Sequence, residues 1–210
     1  PDLWVWAREA PGNGFIAAAG AATVITFIGL IVGHGAARGL RGAALLDTAS
    51  MLVFVMPAAV VGVGLMGVWN RPAGQAVYGS LAILVVGYVA RYTVVGVRVL
   101  GCVVAQSPVH LEEAAAASGA HFGRRLVRIV LPIHMRGVVF AWLLALVFCL
   151  RDLEIVILFY PPGREPLTVR IFTLEANGPE GVVAGLGLLH VAITAAALVV
   201  GGLVLWRRSP

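Results

Sequence analysis

Long runs without a charged side chain alternate along this chain with short polar connections. The runs cover residues 10–37, 48–70, 72–90 and 181–206, and are 28, 23, 19 and 26 residues long. About 20 consecutive apolar residues suffice for a helix to cross a bilayer. A fifth run, 137–150, is shorter, but apolar residues resume at Ile155–Tyr160 beyond the interruption Arg151-Asp152-Leu153-Glu154. Taking one helix across that interruption gives five predicted spans, at about 13–33, 47–69, 77–98, 137–159 and 181–206. The fold class is therefore all-α, a polytopic membrane helical bundle. Gly62, Gly64, Gly67, Gly181, Gly185 and Gly187 lie within these runs and suit close helix packing in lipid.

Composition agrees. The chain is 60% hydrophobic and 12% charged, against about 25% charged in soluble domains. Its net charge of +5 comes from arginine alone, because no lysine is present. A GxxxxGK[ST] phosphate loop is thereby excluded. The arginines are scattered between the apolar runs and form no nucleic-acid surface. Cys102 and Cys149 lack the spacing of a zinc or redox motif and read as small packing residues. His34, His110, His121 and His134 stand at no ligand spacing with carboxylates. No metal site and no catalytic residue is expected. The chain opens at Pro1 without a signal-peptide pattern, and residues 1–210 read as one transmembrane domain cut from a longer protein.

Arginine also predicts sidedness. Arg38, Arg41, Arg98, Arg124, Arg125, Arg128, Arg136, Arg207 and Arg208 fall in one set of connections, and Arg8, Arg71, Arg164 and Arg170 in the alternate set. Nine against four assigns the first set to the cytoplasm. The longest cytoplasmic connection is then about 99–136. Within it, Ser107-Pro108 reads as a helix start, followed by an alanine-rich helix over Val109–Ser118 that Gly119 stops. Glu112 and Glu113 suit its amino end. A second short helix is expected over about His121–Leu131, ended by Pro132, with Phe122, Leu126 and Ile129 on one face.

Glu113-Ala114-Ala115, three residues, Gly119, nine residues, Ile129, one residue, Leu131-Pro132 matches the pattern EAA-x3-G-x9-I-x-LP. It resembles the cytoplasmic loop of type I ABC importer permeases. The resemblance implies that the first loop helix is a coupling helix docking on a separate cytoplasmic ATPase subunit. Glu113, Ala114, Ala115, Gly119, Ile129, Leu131 and Pro132 would be the coupling residues. It also implies a periplasmic or extracytoplasmic substrate-binding protein, a homologous second permease half and residence in the inner (plasma) membrane of a bacterium or archaeon. No cofactor of its own is implied, ATP and magnesium being bound by the partner. The stretch 150–163 with Glu165–Ile171 is similar to ferric-iron permeases, and polyamine, thiamine and phosphonate permeases share much of it.

Four charges lie inside predicted spans: Arg91 in the third, and Arg151, Asp152 and Glu154 in the fourth. Charges at such depth cost about 2.5–3.5 kcal/mol on insertion scales and face the bundle interior or a wet path. Arg151 and Glu154, three apart, are expected on one helix face, with Asp152 placed to meet Arg91. Two roles remain open: ion pairs that fix packing, or the lining of a pathway or gate. His190 and Asp47 read as structural. The outer segment 160–180 is expected to carry a short surface helix over Leu167–Leu174. The alternative function is a secondary transporter or channel without an ATPase partner.

Overall fold

The computed structural model describes residues 3–207; Asp2 and Arg208, which entered the charge count, lie outside them. The described residues form helices and contain no strand. In chain order they are α1 (Leu3–Ala7), α2 (Ala10–Ala37), α3 (Arg41–Val55), α4 (Ala58–Trp69), α5 (Gln75–Tyr78) and α6 (Ala82–Ala105). Then come the loop helices α7 (His110–Ala117), α8 (Phe122–Arg125) and α9 (Leu131–Ile133), with a π-helical turn at Leu126–Val130 between the last two. The chain ends with α10 (Met135–Arg151), α11 (Leu167–Glu175) and α12 (Glu180–Arg207).

Three helices, α2, α6 and α12, are long and apolar enough to cross a membrane alone, and five spans result if each of two bent pairs counts as one. The centre is the packing of α2 on α6, with α10 against both. Ala17, Ala18, Ala21, Ala22 and Ile25 of α2 meet Ile83, Leu84 and Tyr88 of α6 and Ala145, Leu146 and Cys149 of α10 in one buried cluster. Small residues make this approach possible. A Cβ on Gly29 would strike the backbone of Gly96, and one on Gly33 would lie 2.6 Å from the Val97 carbonyl oxygen. Close packing thus falls on α2 and α6. Of the glycines singled out in the sequence, Gly62 abuts Leu158, whereas Gly64, Gly67, Gly181 and Gly187 face open space.

Two predicted spans are corrected. The second, 47–69, is broken by a 110° bend between α3 and α4. Pro57 causes it: Met56, the residue before the proline, is extended at φ −62°, ψ 143°, as steric exclusion from the helical region requires. A charge-free run carries no trace of such a break. The fourth, 137–159, ends as a helix at Arg151; Asp152 is extended and Val156–Leu158 form a single 3-10 turn. The third starts later and runs further than 77–98, over Ala82–Ala105. The short helix expected over Leu167–Leu174 is present as α11, with Leu167 and Val169 buried in the bundle.

In the loop, Ser107 caps nothing. Its hydroxyl donates back to the Val104 carbonyl, and α7 starts at His110, two residues beyond Pro108. Pro132 does not end the second loop helix, which continues to Ile133. The proline withholds an N–H and presses on the carbonyl four residues earlier, Arg128. The π-helical turn at Leu126–Val130 absorbs that misfit, as an inserted bulge does. The chain then turns through 85° into α10.

Candidate functional site

Two polar assemblies stand out of this apolar bundle, one on the loop and one at the far end of α10.

On the loop, α7 ends in a glycine-centred cap. The Gly119 N–H donates to the Ala116 carbonyl and the Ala120 N–H to the Ala115 carbonyl, with Gly119 at φ 82°. This is the paired-bond Schellman closure that glycine permits. Glu113 and Ala114 are exposed, as are Gly119 and Pro132, while Ala115, Ile129 and Leu131 are half-buried. The motif residues thus present an outward surface, joined by exposed Leu111 and Phe122.

Leu126 and Val130 pack the loop against Leu30, Leu100 and Val104, and a residue outside the motif ties α7 to α2 by polar contacts. Glu112 is buried. Its Oε2 lies 2.6 Å from His34 Nε2, and Arg38 donates to its Oε1 from Nε at 3.0 Å and Nη2 at 2.7 Å. Arg38 Nη2 also donates to Ser107 Oγ at 3.0 Å. Phe122 sets its ring edge-on to His34, with centroids 5.6 Å apart. Burial alone would raise the Glu112 carboxyl. The hydrogen bonds from His34 and Arg38 outweigh it and hold the group below the usual glutamate range. The histidine set contains no metal-ligand cluster among the described residues. His34 nevertheless meets a carboxylate 78 positions away, a pairing that no local spacing signals.

At the other end, Arg91, Arg151, Asp152 and Glu154 come together with Tyr92, Val147, Phe148 and Leu153 around a cleft of about 420 Å³. Asp152 is fully engaged. Tyr92 Oη donates to its Oδ2, the Ile155 N–H to its Oδ1 at 2.9 Å, and Thr168 Oγ1 to its backbone carbonyl at 3.2 Å. Arg91 donates from Nη2 to Glu154 Oε2 at 3.0 Å. Its Nε lies 3.8 Å from Asp152 Oδ2, too far for a hydrogen bond, so the expected meeting of Arg91 and Asp152 is a Coulombic one. Arg151 and Glu154 do not share a helix face, because α10 ends between them. Tyr92 is the member that charge-based reading passed over; a tyrosine inside an apolar span needs a partner for its hydroxyl, and that was the available signal. Asp47 pairs with Arg98 at 3.0 Å, tying α3 to α6.

No family model matches the chain. Relatives from Salmonella paratyphi A, Salmonella typhi and Salmonella typhimurium are 29%, 28% and 28% identical over 147 residues. Each bears the provisional name 2-aminoethylphosphonate transport system permease protein PhnV. The match takes in 68% of this chain and 55%, 56% and 55% of theirs, so the chain spans about half the length of the curated relatives it matches. Among solved structures, a chain of the MetNI methionine ABC transporter in inward-facing conformations superposes with a TM-score of 0.72. That superposition covers 100% of both chains at 15% identity and is a likeness of fold. By fold, loop pattern and sequence together, the chain is similar to permeases of the type I ABC importer class.

Proposed function

We propose that this permease forms the substrate pathway of an ATP-driven importer and takes its energy from a separate ATPase subunit gripping α7. The observation that carries this reading is the loop: an exposed motif surface, closed by the Gly119 cap and bonded through Glu112 to α2. A pull on α7 reaches α6 and α10 through the chain and α2 through those bonds. An extracytoplasmic binding protein would deliver the solute, and a second permease half would complete the pathway. Arg91, Arg151 and Glu154 line that pathway or its gate, and Asp152, buried and fully bonded, holds them in place. For the solute we favour a small phosphonate, because the Salmonella relatives carry that substrate in their names; ferric iron rests on sequence likeness alone.

The test is uptake by the full-length protein reconstituted with an ATPase subunit and a binding protein that co-purify with it. ATP-dependent accumulation of 2-aminoethylphosphonate supports the proposal. Accumulation driven by an ion gradient without the ATPase would instead favour a secondary transporter.

Sidedness has its own check. With the native cysteines removed, Ser118→Cys should react with an impermeant thiol reagent in inside-out vesicles and stay unlabelled in intact cells. Labelling from outside would invert the assignment.

Gly119→Val tests coupling. A β-branched residue at φ 82° costs about 1–2 kcal/mol, and no side chain crowds the site, so the strain is purely local to the cap. The variant should insert normally yet lose transport and substrate-stimulated ATP hydrolysis together and in parallel. Ala76→Val, at an exposed position of α5, serves as the control for added bulk.

A further inference from the structure

We propose that the cleft between α6 and the end of α10 is a binding station for a small solute carrying both an oxyanion and an ammonium group. Asp152 is excluded as a ligand contact, since its side chain is 1% exposed and both its oxygens are occupied. What faces the cleft is therefore Arg91, Arg151 and Glu154.

Arg91 is the telling residue. A guanidinium has five N–H donors, yet Arg91 uses one, on Glu154, while its Nε and Nη1 are buried without a hydrogen-bond partner. Buried charged donors are ordinarily satisfied, so Arg91 places a guanidinium short of hydrogen bonds behind the cleft, while the exposed Arg151 offers the planar N–H fork that matches a phosphonate, phosphate or carboxylate. Arg151 lines the same cleft and also a second one of about 520 Å³ beside His190 and Thr194. No ion pair to another described residue holds it. It stands where a solute would be passed from one space to the other. Glu154 is 71% exposed and engages Arg91 through Oε2 alone, which leaves Oε1 for a cation. With Arg91 and Asp152 offsetting each other beneath, the exposed Arg151 and Glu154 complement a solute with an anionic and a cationic end. An aminophosphonate has that form.

The inference rests on the import reading, and one experiment separates the two. Full-length protein in lipid nanodiscs is titrated with 2-aminoethylphosphonate, ethylphosphonate and ethanolamine, without binding protein, and ATP-dependent uptake is measured on the reconstituted system. Wild type should bind 2-aminoethylphosphonate saturably. Arg151→Gln should weaken both phosphonates by about ten- to a hundredfold. Glu154→Gln should weaken 2-aminoethylphosphonate but tighten ethylphosphonate, because the amine loses its partner while the anion loses a repulsion. Both residues are exposed, so the variants should melt as wild type does; His190→Gln reports the neighbouring cleft if Arg151→Gln fails to fold. Saturable binding with that opposed response to Glu154→Gln supports the station. ATP-dependent phosphonate uptake without direct binding, or with binding indifferent to both variants, overturns it and leaves the import reading standing. In that case Arg91 is satisfied by water only. Binding without any uptake would sink the import reading and keep the cleft.

Discussion

Arg38→Ala should destabilise the folded protein by about 3 kcal/mol, the low end of the cost of stripping one partner from a buried charge pair. The low end applies because His34 keeps its 2.6 Å contact with Glu112. Glu112→Ala removes the acceptor shared by His34 and Arg38 and should cost at least as much. The double variant should cost clearly less than the sum of the two, which marks direct coupling. Glu113→Ala, one residue along and exposed, should stay within about 0.5 kcal/mol of wild type. Thermal unfolding in one detergent decides it, and equal losses at 112 and 113 would refute the assignment. The tie also has a defined pH window. The folded glutamate titrates below its unfolded value. Its contribution is therefore fully present above about pH 4.3 and is lost only as pH falls through the lowered folded value.

That contrast between neighbours shows what the sequence could and could not disclose. The motif pointed to Glu113, which is free to meet a partner, and passed over Glu112, which does the anchoring. Motif spacing reports what a partner reads on the surface. It is silent on a contact made across 78 positions between α2 and α7. Charge-free runs found α2, α6 and α12 because in lipid each must satisfy its backbone internally as a helix. They missed the bend at Pro57 because proline carries no charge, and joining the run 137–150 to Ile155–Tyr160 overran Arg151 because hydropathy resumes at Ile155 whether or not the helix does. The four intramembrane charges were legible by their cost alone. Their division of labour was not, since it depends on where α10 stops.

Asp152 and Glu154 should therefore behave oppositely when neutralised. Asp152→Ala takes the acceptor from Tyr92 Oη and from the Ile155 N–H, and the nearby carboxylate from Arg91. Leaving a hydroxyl, an amide and a guanidinium unmatched in a buried site should cost about 3–5 kcal/mol, seen as poor expression and a lowered melting temperature. Glu154→Gln removes a charge from a side chain that is 71% exposed, and an amide oxygen still accepts from Arg91. Its melting temperature should stay near that of wild type, with uptake rate or solute preference altered. Both quantities can be read on one preparation. A Glu154→Gln protein that melts early but transports normally per folded molecule would assign this residue, like Asp152, to packing alone. A stable Asp152→Ala protein would mean that the Tyr92 and Ile155 bonds do not hold the end of α10, and that the turn at Val156–Leu158 is set by its apolar contacts instead.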